Sequence, residues 1–304
     1  MLATSIDKYC YLTVRYLPPF FEHKHRIVYS IVEMVRELDE IKHPAVRAVL
    51  QEMKPVNGLE IHHDGDLPAR SGLGSSSSFA VGILHSLAAL EGRMMSKLQL
   101  ARQATRIEQD VLKETVGCQD QITAAFGGFN RVHFFQNGTF DVEPIVLTRE
   151  RLDELEGSLM LFFTGLTRSA SEIAEVTLQN MKTKECELLE MRQMVDHAVD
   201  IIESSGDLVG EFGRLMHKSW MIKRNLADNV TTPKVDEIYE AARSAGAIGG
   251  KLLGAGGGGF LLLVVPKEKQ AVVREKLASL VHVAFKFETG GSKLMVFEMN
   301  NRDD

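Results

Sequence analysis

Three cysteines in 304 residues, Cys10, Cys118 and Cys186, are too few, odd in number and widely spaced for a disulfide framework, and no C-x-x-C pair marks a metal site. Basic charge is not in excess either. The net charge is −6, the isoelectric point is near 6.0, and no Lys/Arg block interrupts that balance, which argues against a nucleic-acid-binding surface. No stretch reaches the roughly 18 consecutive apolar residues of a membrane span. The N-terminus lacks the apolar core of a signal peptide. A cytoplasmic protein with no membrane and no nucleic-acid partner is therefore expected.

What is present is an ordinary globular composition, 44% hydrophobic and 25% charged. The length allows a full core in two domains, expected at 1–152 and 153–304, with the boundary in the charged stretch Thr148 to Gly157. An acidic chain can still handle phosphorylated substrates, provided its cleft is locally positive.

The rest of the chain is organised around Pro68-Ala-Arg-Ser-Gly72-Leu73-Gly74-Ser75-Ser76-Ser77-Ser78, which runs into an apolar segment, Phe79 to Leu90. Glycines permit tight turns and close approach of a ligand. Serines stand where a helix begins, and Phe79, Ile83 and Leu87 repeat at helical spacing. A glycine turn emptying into a helix N-terminus is an anion cradle, because free N–H groups and the positive dipole end point the same way. The Walker lysine is missing. A second glycine turn contains a literal G-x-G-x-x-G at Gly254, Gly256 and Gly259. Its flanks read as helix before and strand after, the reverse of a Rossmann turn.

Along the chain, Met1 to Tyr16 reads as strand, Val28 to Leu38 and Ala45 to Met53 as helices, and Leu59 to His63 as strand. Lys97 to Glu114 reads as one amphipathic helix with Glu108 on or beside its apolar stripe. An inward carboxylate needs a partner, either an arginine at the core edge or a magnesium ion. Asp120, in the polar turn Gly117 to Gln121, is either a turn or cap residue or an acid that orients a hydroxyl. Asn137-Gly138 marks a hairpin between Arg131–Phe135 and Thr139–Ile145. Strand Leu159 to Phe163 precedes the loop Thr164 to Ser169, which reads as a helix cap or a substrate-lining loop. Helices follow from Ser171 to Glu203 with a break near Thr183, then around Phe212 to Leu226, where His217 and Trp220 read as packing residues. The closing region reads as helix Val235–Ala245, strand 260–265, helix Lys267–Leu280, and strands His282–Glu288 and Lys293–Met299.

Three stretches in this order resemble the GHMP kinase superfamily, which includes galactokinase, homoserine, mevalonate and phosphomevalonate kinases. They are Gly72 to Ser78, then Glu108 with Gly117–Gln121 and Gly127-Gly128, then Lys251-Leu-Leu-Gly254-Ala-Gly256-Gly257-Gly-Gly259-Phe260. Within it the chain looks most like the D-glycero-D-manno-heptose 7-phosphate kinases, through Ala3 to Tyr9, Thr164 to Ser169 and the four-serine run. The resemblance implies an α+β fold with an S5-like N-terminal domain and a ferredoxin-like C-terminal domain, and an active site between them. It implies that Gly72, Leu73, Gly74, Ser75, Ser76, Ser77 and Ser78 wrap the phosphates of ATP, with Gly254, Gly256 and Gly257 shaping the cleft. Ser76 and Glu108 would hold Mg²⁺, and Asp120 would take or orient the proton of the attacking hydroxyl. Arg70, Lys113 and Arg168 are the basic candidates for a sugar phosphate's distal group. The family's opening strand and Gly-Gly-Gly-Thr-Asp-like turn have no counterpart here, since the sequence begins downstream of them; an uncovered sheet edge is expected. The implied activity is phosphorylation of the anomeric hydroxyl of a heptose 7-phosphate. A hexose- or mevalonate-type kinase, or a catalytically silent nucleotide- or sugar-binding homologue, stays open, and a homodimer is compatible with all of these.

Overall fold

The computed structural model describes residues 1–69, 71–166 and 170–298. The first elements are β1 (Leu2–Ile6), β2 (Cys10–Tyr16), β3 (His25–Val28), β4 (Val32–Val35), α1 (Pro44–Met53) and β5 (Leu59–Gly65). Next come α2 (Ser75–Leu90), α3 (Lys97–Arg106), α4 (Gln119–Phe126), β6 (Phe129–Phe134), β7 (Phe140–Pro144) and α5 (Arg149–Ser158). Then follow β8 (Leu159–Phe163), α6 (Ala170–Asn180), α7 (Glu185–Glu203), α8 (Leu208–Lys223) and α9 (Pro233–Ser244). The chain closes through β9 (Gly249–Leu252), β10 (Phe260–Val264), α10 (Gln270–Lys276), β11 (Val281–Val283) and β12 (Phe287–Glu288). The α+β class expected from the sequence is what the structure has.

Contacts divide the described chain into two compact units, one of residues 1–7, 71–73 and 129–288, the other of 8–69, 74–128 and 289–298. They do not follow a single cut at 152/153. The charged stretch expected there as a boundary is α5, a helix whose Leu155 is buried in the first unit.

The first unit holds two sheets. One has the order β12-β1-β6-β7, with Leu2 opposite Arg131 and Ile6 opposite Phe287. Thus β1 is paired on both sides and is not an open edge. The other sheet has the order β11-β8-β10-β9 with every pair antiparallel. Numbering its strands from the N-terminal side gives 4-1-3-2, with helices between the first and second and between the third and fourth, which is the ferredoxin-like split β-α-β arrangement. Its core includes Trp220, Tyr239, Phe162 and Leu252. Trp220 is fully buried and the His217 Nδ1 lies 2.7 Å from the Tyr239 hydroxyl, so both are packing residues.

The second unit has the sheet β2-β5-β3-β4, in which β3 runs parallel to β5, with α1 to α4 beside it. Its organising element is α2, apolar nearly all round and buried at Phe79, Val81, Ile83, Leu84 and Leu87. Gly82 lets this helix meet β2, since a Cβ there would lie 2.6 Å from the Leu12 side chain.

Several expectations change. Val28–Leu38 is not a helix but the end of β3, a turn and β4, followed by a single 3₁₀ turn at Leu38–Glu40. The opening strand is two, broken at Asp7 to Tyr9. The helix expected over Lys97–Glu114 ends at Arg106 and continues as a π-helical turn, Ile107–Val111. Lys267–Leu280 holds a 3₁₀ turn and a short helix, and no strand forms over the described part of Lys293–Met299. The glycines at 254–259 follow strand β9 rather than a helix, because this loop joins β9 to β10 in a hairpin. Among the described residues no helix is long and apolar enough to cross a membrane.

Candidate active site

In the second unit, α2 opens at Gly74, whose φ of 68° and ψ of 26° lie in the left-handed region that glycine reaches without strain. The first intrahelical bond runs from the Ser78 N–H to the Gly74 carbonyl, 2.8 Å. The N–H groups of Ser75, Ser76 and Ser77 therefore precede the hydrogen-bonded ladder, which is the donor set a helix start presents to an anion. Ser76 is exposed and Ser77 is buried.

Glu108 stands behind this turn. The π-helical turn that carries it inserts an extra residue into the helix and turns the carboxylate inward, to 2% exposure. Its Oε2 accepts from the Ser77 hydroxyl at 3.1 Å and from the Gln121 side-chain amide. Among the described residues no lysine, arginine or histidine forms an ion pair with it, so none of these is the core-edge arginine considered from the sequence. Burial is the main influence on its acidity and pushes the carboxyl up to about 6; the bonds from Gln121 and Ser77 pull it down, and Glu114 and Asp120 push it further up. The resemblance pairs Ser76 with Glu108, whereas the serine that reaches Glu108 here is Ser77.

Asp120, in the first turn of α4, is half-buried against the helix start: a Cβ at Gly74 would lie 3.1 Å from the Asp120 Cβ and 3.4 Å from its Oδ2. One unit thus brings together Gly74–Ser78, Glu108 and Asp120. Lys113 is exposed, with a left-handed φ of 58°. Arg70 and Arg168 lie outside the described residues. No group of three or more His, Cys, Asp or Glu side chains arranged for a metal occurs among the described residues. Magnesium shared with substrate phosphates needs only one or two carboxylates. Among the described residues this buried carboxylate has no cationic partner and its Oε1 accepts no hydrogen bond, which fits such an ion.

In the first unit, the remaining glycine of the phosphate turn, Gly72, is backed by the closing loop. A Cβ at Gly254 would lie 2.6 Å from the Gly72 Cα, and one at Gly259 would lie 2.1 Å from the Ser71 carbonyl oxygen. Only backbone without side chains fits this closely. The loop is pinned by the Lys223 ammonium, which donates to the carbonyls of Leu252 at 3.1 Å and Gly254 at 2.6 Å. The Thr164 hydroxyl donates to the Gly259 carbonyl at 2.8 Å, and the Gly257 N–H to that of Val230 at 2.9 Å. Leu73 belongs to this unit, and Gly256 packs on Val230.

Two features are given no role by the sequence. Gln121 reads as one more polar turn residue, and only its place one helical step after Asp120 hints at an inward amide. A ring cluster of Tyr29, His43, His63 and Phe79, with centroids 4.8 to 4.9 Å apart, sits below the start of α2. Burial lowers the pKa of both histidines.

Residues 39–128 match the family model for the GHMP kinases N terminal domain, and residues 202–282 match that for the GHMP kinases C terminal. The D-glycero-alpha-D-manno-heptose 7-phosphate kinase of Campylobacter jejuni is 31% identical over 222 residues, which are 72% of this chain and 65% of that protein, just under two thirds of its length. The mevalonate kinase of Pyrococcus abyssi is 31% identical over 252 residues, 79% of this chain and 70% of that one. The crystal structure of a D-glycero-D-manno-heptose 1-phosphate kinase from Bacteriodes thetaiotaomicron superposes with a TM-score of 0.71 over 98% of this chain and 90% of its own, at 24% identity, a likeness of fold. With both family models matched in order and the Pyrococcus enzyme aligned over 70% of its length, the chain belongs to the GHMP kinase family.

Proposed function

We propose that this protein is an ATP- and Mg²⁺-dependent sugar kinase that phosphorylates the anomeric hydroxyl of a heptose 7-phosphate. The observation that carries the kinase reading is the pairing of an open helix start at Gly74–Ser78 with a buried carboxylate, Glu108, that has no cationic partner among the described residues. The heptose reading rests on the Campylobacter relative.

In this reading the amides and hydroxyls of Ser75 to Ser78 hold the phosphates, and Ser76 and Glu108 hold Mg²⁺. Bound there, the ion would offset the charge that develops on the transferred phosphoryl group. Asp120 receives the proton of the sugar hydroxyl as its oxygen bonds to the γ-phosphorus and the bond to ADP breaks. Arg70, Lys113 and Arg168 are the cations nominated for the distal phosphate. Positioning and fixed charge suffice for this chemistry.

The test is ADP release from Mg·ATP with heptose 7-phosphate, galactose and mevalonate. Heptose 7-phosphate should give the highest kcat/KM, and Asp120→Asn should cut its turnover by roughly 10²- to 10⁴-fold while nucleotide affinity stays as in wild type. Preference for mevalonate, the substrate class named by the Pyrococcus relatives, would move the chain within the family. Nucleotide binding without turnover on any alcohol would favour a silent homologue.

A further inference from the structure

We propose that Gln121 is a positioning residue for the cation site, holding the Glu108 carboxylate in one orientation and supplying an acceptor to a cation-bound water. The inference rests on the kinase reading above, but it concerns a residue that lies within the matched stretch Gly117–Gln121 and was given no role there.

Three observations carry it. Gln121 is 1% exposed on α4, and its Nε2 donates to Glu108 Oε2. The Ser77 hydroxyl, from α2, donates to the same oxygen. Two donors on one oxygen fix the carboxylate plane and leave Oε1 to face whatever cation the site takes. The amide orientation is dictated by chemistry, because turning it over would set the carbonyl oxygen of Gln121 against an oxygen that already accepts. Finally, the Gln121 Oε1 is buried and has no hydrogen-bond partner among the described residues. A buried amide oxygen left unpaired is costly, so it calls for a donor. It shares one carbon with the nitrogen on Glu108, and a water carried by the cation is a donor suited to that spot. Neighbours that orient a metal ligand in this way commonly govern metal affinity nearly as strongly as the ligand itself.

The test is Mn²⁺ titration in the presence of the non-hydrolysable analogue AMPPNP, with free Mn²⁺ read by electron paramagnetic resonance, alongside thermal melts with and without Mn²⁺. Gln121→Leu keeps the bulk and removes both polar atoms; Mn²⁺ should bind roughly 10- to 100-fold more weakly. Its AMPPNP affinity in EDTA should match wild type. Gln121→Glu keeps the shape and the acceptor but faces one carboxylate with another. It should melt below wild type without metal and gain more from Mn²⁺ than wild type does. A Gln121→Leu protein that binds Mn²⁺ within a factor of two of wild type would overturn the inference. So would a Gln121→Glu protein whose melting point falls equally with and without the ion, since a purely structural amide predicts that. If wild type itself takes up no Mn²⁺ with AMPPNP, the kinase reading fails and this inference falls with it.

Discussion

Gly74 and Gly92 show how one substitution can ask two different questions. Both have left-handed φ angles, 68° and 73°, so alanine at either costs roughly 1–2 kcal/mol in backbone strain. Their surroundings differ: a Cβ at Gly92 meets nothing within 4 Å, whereas one at Gly74 meets the Asp120 side chain at 3.1 Å. Gly92→Ala should therefore lower the melting temperature and leave turnover alone. Gly74→Ala should lower it at least as much and also cut turnover, by displacing Asp120. Equal turnover in the two variants would show that Asp120 does not depend on this contact. The requirement for glycine at 74 was readable from the sequence, because a turn into a helix start needs that conformation. Its contact with Asp120 was not, since nothing local links residues 46 positions apart. Gln121 illustrates the same limit, as a polar letter in a polar turn carries no sign that its amide is buried.

Among elements, the clearest departure is the β3–β4 hairpin, where apolar residues at 28, 31, 32 and 35 mimic a helical stripe. The competing signal was composition: Ile27, Val28, Ile31, Val32 and Val35 are all β-branched, which favours strands. Strands of four residues are too short to display alternation, and the Tyr29–Ile31 turn has no glycine or asparagine to announce it. The hairpin also places His25 in the core, with its Nδ1 unpartnered among the described residues. Burial, and to a lesser degree Lys24, lowers its pKa from 6.5 to about 4. The unfolded chain then binds a proton more readily than the folded one between those values. This residue's contribution is complete above about pH 6.5, is lost as pH falls toward 4, and amounts to about 3 kcal/mol over the window. His43, His63 and His85 are shifted in the same direction by burial and add to the slope. Urea unfolding of wild type and His25→Leu at pH 7 and pH 4 should show a loss of stability on acidification that is smaller by about that amount in the variant. An unchanged difference would mean that His25 finds a partner in solution.

At the scale of the whole molecule, most of the element order is legible in the sequence, but the grouping by contacts is not. Runs of charge at 148–157 suggest a domain boundary, yet they form the solvent face of α5, laced by Arg149–Asp153 and Arg151–Glu154 pairs. The decisive contacts lie far apart in sequence: β1 is zipped between β6 and β12, and Leu2 packs beside Phe129 and Phe287 against a cluster of Leu155, Ile201, Ile202 and Leu208. No local pattern encodes a partner some 130 or 285 residues away, so a cut near the middle of the chain looked natural. The structure makes a specific demand instead. Removing Met1–Asp7 strips the ladder partner from two strands at once and opens that apolar cluster. Losing buried side chains and two sets of strand pairings costs several kcal/mol, and each kcal/mol is worth about 2–4 °C in a protein of this size class. The deletion should lower the melting temperature by roughly 10 °C or more. It should also deprotect the amides of β6 and β12 in hydrogen exchange before those of β8 and β10, which pair with each other and not with β1. A melting point unmoved by the deletion would show that the sheet draws its stability from β6 and β7 alone, with β1 only laid against it.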